Sequence, residues 1–201
     1  MKLYYADTLM PRLACAVAKH VGAPVEFVAV DLRAGEQRAA GFRALNSNAK
    51  VPLLVDGALR LWEADAIACY LAGRFRPELW PEGEVHELIR WMSWNARHFT
   101  DAGSRLYFEH VIKPAYLRQA PDPAAVEPAL ADFAKFAAVL DAHLAGRRFV
   151  LGEAPTVADF CLATALPWAH AAHLPLAATP AVESWYDRIE DLPGWRDPYA
   201  A

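Results

Sequence analysis

The chain has 201 residues, 55% of them hydrophobic and 22% charged, with a formal charge of −4. That length and balance suit a globular protein with one large core or two small ones, and exclude a disordered chain. The acidic balance argues against a nucleic-acid binder, and no run approaches the roughly 20 apolar residues that would span a bilayer.

Three cysteines, Cys15, Cys69 and Cys161, are too few and too scattered for a disulfide framework. Each sits in an apolar helical run and reads as a small buried hydrophobe. The opening "MKLYYADTLMPRLACAV" lacks a signal-peptide layout, so a reducing cytoplasm is the expected setting.

In chain order, "KLYYA" is a short β-prone run, and "PRLACAVAKHVG" reads as a helix with Pro11 in its first turn and Gly22 as its stop. "VEFVAVDL" is a second strand and "GEQRAAGFRAL" a short helix. "PLLV" and "ALRLW" flank Asp56-Gly57, a favoured two-residue hairpin turn, and "EADAIACYLAGRF" is an amphipathic helix. Residues 1–75 thus read β-α-β-α-β-β-α. Residues 76–83, "RPELWPEG", form a proline-bearing linker.

Residues 84–201 read as all helical. Val85, Leu88, Met92, Ala96, Phe99, Gly103 and Leu106 step by three or four along one face of a long helix. Val126, Leu130, Phe133, Ala137, Leu140 and Leu144 repeat the pattern up to Gly146. "PTVADFCLATALPWAH" is a helix with Thr156 as N-cap and Asp159 completing a capping-box pair. "TPAVESWYDRIEDL" is another, with Thr179 as cap and Pro180 at its first position. His170 and His173 make no metal site without a third ligand, so no metal is expected.

This order resembles the soluble glutathione transferase superfamily over nearly the whole chain: a thioredoxin-like α/β domain followed by an all-α helical bundle. "MKLYY" through "VG" is similar in length and spacing to the bacterial beta-class opening. "KVPLL", "LWEADAIACYLA", "FVLGEAPTVADF" and "VESWYDRIEDLPGW" resemble the family's Val-Pro segment, the start of its glutathione-binding helix, its C-terminal capping-box segment and its usual ending.

The resemblance implies glutathione as co-substrate, a cis Val51-Pro52 bond and a backbone at Val51 that pairs with the cysteinyl part of the tripeptide. From the residues alone, Pro52 also reads as the start of an edge strand. Glu63 would hold the ammonium of the γ-glutamyl end while the N–H of Ala64 takes its carboxylate, and Met10 and Lys50 complete the pocket. Glu63 alone also reads as an electrostatic cap on the helix that follows.

Three positions depart from the pattern. Ala64 stands where the family usually has a serine donor, Ala6 where a serine is frequent, and Met10 where the beta class has a reactive cysteine. Thiol activation then falls to Thr8, Tyr5 or the backbone N–H of Met10. Thr8 equally reads as a turn or N-cap residue, and Tyr5 as a core aromatic.

In "RWMSWNARHFTDAGSRLYFEH", Trp94, His98, Arg105, Tyr107 and Phe108 could line a pocket for the second substrate, with Arg97 or Arg105 aiding an anionic one. The same residues also read as packing in the bundle and at a dimer interface. The expectation is a cytoplasmic homodimer that conjugates glutathione to small hydrophobic electrophiles, without nucleic-acid or membrane partners. The alternatives are a catalytically silent binding protein of the same fold and a glutathione-dependent disulfide reductase or peroxidase.

Overall fold

The computed structural model describes residues 1–199. Its chain divides into two compact units, Met1–Pro81 together with the segment from Asp191, and Glu82–Glu190. The sequence places that last segment with the helical half; it packs instead on the first unit.

The first unit is built on strands β1 (Lys2–Tyr5), β2 (Glu26–Ala29), β3 (Leu53–Asp56) and β4 (Leu59–Trp62), in the sheet order β2-β1-β3-β4. β1 runs parallel to β2 and antiparallel to β3. β3 and β4 form the expected hairpin, but Asp56 pairs with Leu59, so the two-residue turn is Gly57-Ala58 and not Asp56-Gly57, with Gly57 at a φ of 57°. Helices α1 (Leu9–His20) and α3 (Ala64–Phe75) pack against each other and the sheet, and Leu3 and Leu54, paired across it, are fully buried. The opposite face carries Tyr4 and Leu53, which pack with Val30 and with Phe42 of α2 (Ala40–Leu45). Burying a leucine or phenylalanine side chain contributes about 1.5–3 kcal/mol, so these two layers account for much of the unit's cohesion.

α1 begins at Leu9, earlier than Pro11 suggests. Pro11 is tolerated in the first turn because the amides there have no intrahelical acceptor. The helix stops as expected: Gly22 adopts a φ of 65° and the N–H of Ala23 turns back to the Ala18 carbonyl at 2.9 Å. At that end His20 is buried. A guanidinium only donates, so Arg76 fixes the tautomer: Arg76 donates to Nε2 at 3.0 Å, and Nδ1–H donates to the Pro193 carbonyl at 3.2 Å.

The second unit holds α4 (Val85–Trp94), α5 (Thr100–Tyr107), α6 (Pro123–Leu144), α7 (Val157–Leu162) and α8 (Pro180–Glu190). The long helix expected from Val85 is continuous in direction but widens into π-helical turns at Asn95–Phe99 and Phe108–Leu117. In the first turn the buried Asn95 amide donates to the Cys161 carbonyl and accepts from Thr100, drawing the helix toward α7. The second contains Pro114, which has no N–H to continue the α pattern.

The capping box at α7 is present. Asp159 is fully buried, and its carboxylate accepts from the Thr156 N–H and hydroxyl, the Val150 N–H and Trp185 Nε1. Burial pushes this carboxyl up, and the four hydrogen bonds oppose it. α8 differs from its expected cap. The Thr179 hydroxyl donates to the Leu176 carbonyl, and the N–H groups of Ala181 and Val182 are taken by Asp141 of α6, at 2.7 and 3.1 Å. Among the described residues no helix is long and apolar enough to cross a membrane, and no group of three or more potential metal ligands occurs.

Two predictions follow from buried polar groups. Asp159→Ala strands three N–H donors without an acceptor and should cost about 3–5 kcal/mol in denaturant unfolding. Burial, aided by Arg76, holds His20 below its ordinary value. The unfolded chain therefore takes up a proton first, and stability present above about pH 6.5 is lost as the pH falls through it. The loss of stability from pH 7.5 to 5.5 should be smaller in His20→Asn than in the parent chain, measured by urea midpoints at each pH.

Candidate functional site

A cleft of about 240 Å³ opens within the first unit, lined by Met10, Asn46, Asn48, Lys50, Val51, Pro52, Trp62, Glu63 and Ala64. It forms where the β1–β3 ladder stops. Pairing begins at Leu53, and the Val51-Pro52 bond ahead of it is cis. Among the described residues the N–H and C=O of Val51 join no backbone hydrogen bond. Buried Pro52 cannot donate, so the chain offers one free amide edge at the bend.

Asn46 holds that bend in place. Its side chain is 2% exposed, donates to the Lys50 carbonyl at 2.8 Å and accepts the Asn48 N–H at 3.0 Å. Ala49, within this turn, sits at a φ of 53°, a left-handed conformation that a non-glycine residue adopts only when its neighbours require it.

Across the cleft, Glu63 stands at the N-cap of α3 with φ 72° and ψ 120°, and its side chain makes no cap hydrogen bond. An L-residue held there is strained by about 1–3 kcal/mol, and such strain collects at binding sites. Glu63 is exposed and its carbonyl accepts the Ile67 N–H at 3.0 Å, so the helix starts while the carboxylate stays open to the cleft. Ala64 behind it is 1% exposed. The helix head therefore presents backbone N–H groups and one carboxylate, a pairing suited to a ligand carrying both a carboxylate and an ammonium.

The cleft thus brings together Met10, Lys50, Val51, Pro52, Glu63 and Ala64 of the sequence-predicted residues. It adds Asn46, Asn48 and Trp62, which sequence reasoning missed. The signal available for Asn46 was its place ahead of Lys50-Val51-Pro52, a spacing that only acquires meaning when the turn closes. Thr8 and Tyr5 do not line the cleft. Thr8 is the N-cap position of α1, yet its side chain makes no cap bond. Tyr5 is packed between Phe27, edge-on, and Tyr199, stacked at 5.0 Å. Burial pushes the Cys15 and Cys69 thiols up to about 12, leaving negligible thiolate at neutral pH.

In the second unit Trp94 and His98 pack on Phe136 of α6, the His98 ring stacked at 4.7 Å. Arg105 pairs with Asp132 at 2.6 Å and Asp101 at 3.2 Å. It also lines a separate hollow of about 260 Å³ with Ser104, Phe108, Glu109 and Ala125. His173 stacks on His110, not with His170 in a metal site.

The family model described as glutathione S-transferase, N-terminal domain, matches residues 1–73, and that for the C-terminal domain matches residues 123–188. Glutathione S-transferase 3 of Zea mays is 33% identical over 207 residues, covering 98% of this chain and 92% of that protein. A probable glutathione S-transferase, GSTF2, of Oryza sativa subsp. japonica is 32% identical, covering 96% and 93%. Among solved structures, the theta class glutathione S-transferase of Xanthomonas axonopodis pv. citri with glutathione bound superposes with a TM-score of 0.87 at 28% identity, covering 100% and 97%. Glutathione S-transferase III in apo form gives 0.86 at 32%, covering 98% and 94%. The chain belongs to the soluble glutathione S-transferase superfamily.

Proposed function

We propose that the chain is a glutathione transferase that adds the thiolate of glutathione to small hydrophobic electrophiles. The observation that carries this is the facing pair in one cleft: the unpaired amide edge of Val51 and the strained, outward Glu63 at the head of α3. The cysteinyl N–H and C=O of glutathione pair with Val51 as a short added strand. The γ-glutamyl ammonium meets the Glu63 carboxylate, and its carboxylate meets the N–H of Ala64. Lys50 and Asn48 lie on the wall where the glycyl carboxylate leaves the cleft.

In the reaction the thiol loses its proton to water and the thiolate sulfur forms a new bond to the electrophilic carbon. A leaving group departs with the electron pair, or the pair moves into a conjugated system. No side chain lining the cleft supplies a hydroxyl or thiol for this step. Thr8 is our assignment for the donor, because its hydroxyl is not used to cap α1 and it precedes Met10 by two residues. The N–H of Met10, in the first turn of α1, is the second donor. Tyr5 is the weaker assignment, given its place between two rings. The beta-class-like reading of residues 1–22 rests on length and spacing alone, and Met10 removes that class's cysteine chemistry from it.

In the helical unit, Arg105 and its hollow are the part of the predicted second-substrate pocket that adjoins open space; Trp94 and His98 are engaged by Phe136. A homodimer and a cytoplasmic setting belong to the same proposal. A second reading, a glutathione-binding protein without catalysis, is favoured by Met10 in the cleft and by Ala6 and Ala64 at the places of hydroxyl donors.

Calorimetric titration with glutathione should show binding, and an aryl halide assay should show turnover. No heat at millimolar ligand would overturn both readings, and heat without turnover would select the second. Ala64→Ser restores a donor to the γ-glutamyl carboxylate and should tighten glutathione about tenfold or more, since a hydrogen bond to a charged group is worth about 1.5–3 kcal/mol. Glu63→Ala should weaken it by a similar factor; unchanged affinity would discard the pocket. Thr8→Ala should lower kcat with glutathione affinity retained, and full turnover would pass the role to the Met10 amide.

A further inference from the structure

Residues 191–199 are proline-bearing and without helix or strand, yet they meet α1 at Arg12, Ala16, Lys19 and His20. At the far end His20 donates to the Pro193 carbonyl, and Gly194 lies so close to α1 that a Cβ there would meet Lys19 Cβ at 2.6 Å and the Ala16 carbonyl at 3.1 Å. Gly194 also sits at a φ of 83°, so the close pass is built on glycine twice over. Lys19 Nζ donates to the Asp197 carbonyl at 2.9 Å. Near the start of α1, Arg12 donates to the Trp195 carbonyl and lies over the Trp195 ring, which is 1% exposed. The segment ends, among the described residues, with Tyr199 stacked on Tyr5 at an interplanar angle of 11°.

Tyr5 is the last residue of β1, and Ala6-Asp7-Thr8 is the connection that delivers Met10 to the cleft. Tyr199 flanks that connection through the ring of Tyr5, and its buried hydroxyl has no hydrogen-bond partner among the described residues. Burial and Asp7 together push the Tyr199 phenol up, so it stays neutral. Within the connection the Thr8 N–H donates to the Ala6 carbonyl at 2.8 Å, the Thr8 carbonyl accepts the Arg12 N–H at 3.1 Å, and Thr8 lends α1 no side-chain cap.

We propose that Tyr199 is a positioning residue for the glutathione site: the C-terminal segment is a strap along α1 whose last ring clamps the β1–α1 connection and so sets where Met10 and the Thr8 hydroxyl stand. Its effect on binding rests on the proposed glutathione site; its effect on the connection does not.

The test compares Tyr199→Ala with Tyr199→Phe, which keeps the ring. Without ligand, amide hydrogen exchange at residues 6–10 should quicken about threefold to tenfold in Tyr199→Ala, the factor expected for loss of one aromatic stack, and stay unchanged in Tyr199→Phe. With glutathione, Tyr199→Ala should weaken binding by a similar factor, with Tyr199→Phe restoring it. Both are read well below the thermal midpoint of each variant, so that a general loss of stability leaves the readouts unmoved. Unchanged exchange in Tyr199→Ala would overturn the strap. Altered exchange with unchanged glutathione affinity would overturn the positioning role. A parent chain that binds no glutathione would defeat the functional proposal while the exchange comparison still decides the strap.

Discussion

Pairing between β1 and β3 starts at Leu53, and everything distinctive about the first unit turns on the residues just before it. A sheet normally consumes its backbone amides in ladders, since an unpaired buried amide costs as much as a lost hydrogen bond. Here Val51 stays outside the ladder, and it does so at the edge of a cleft where water or a ligand can satisfy it. The turn that ends in this bend is held by one buried amide side chain, Asn46, which spends its N–H on the Lys50 carbonyl and its oxygen on the Asn48 N–H. The cleft is therefore a consequence of where a ladder ends and of what pins the loop beside it.

The second wall follows from the start of α3. Glu63 carries the backbone from β4 into the helix in a single step through a left-handed φ, and its exposed side chain makes no cap hydrogen bond. With Ala64 buried directly behind it, the helix head has amide donors but no hydroxyl. The same scarcity holds at Met10, which lines the cleft while Thr8, two residues before it, does not. The cleft offers a backbone edge and a helix head, while no side chain that lines it carries a hydroxyl or thiol. A transferase built this way leans on backbone groups, which tolerate substitution because they do not depend on which side chain a position carries.

The helical unit is organised by another buried polar centre. Asp159 satisfies nearby donors at Val150 and at its own helix cap, Thr156, and one distant donor, Trp185 of α8. These bonds oppose the desolvation of its carboxyl, which burial still pushes up. Asp141 acts similarly on α8, replacing the local cap that Thr179 does not provide.

Much of this was written in short-range pattern. The alternation of strand and helix up to Phe75, the β3–β4 hairpin, the Val51-Pro52 segment, Glu63 at a helix start and the Thr156–Asp159 capping box each depend on residues within a few positions of one another, so the sequence alone determined them, the hairpin to within one residue of its turn. The tertiary structure decided what depends on partners far along the chain. Asp141 capping α8, the π-helical turns drawn by Asn95 and marked by Pro114, the packing of Trp94 and His98 on Phe136, and the return of the C-terminal segment along α1 to Tyr5 belong to that group. Asn46 lies between, close in sequence to what it holds but intelligible only once its turn has closed. A periodic pattern states which face of an element is apolar; it does not state which distant carboxylate, ring or carbonyl will meet the polar groups left over.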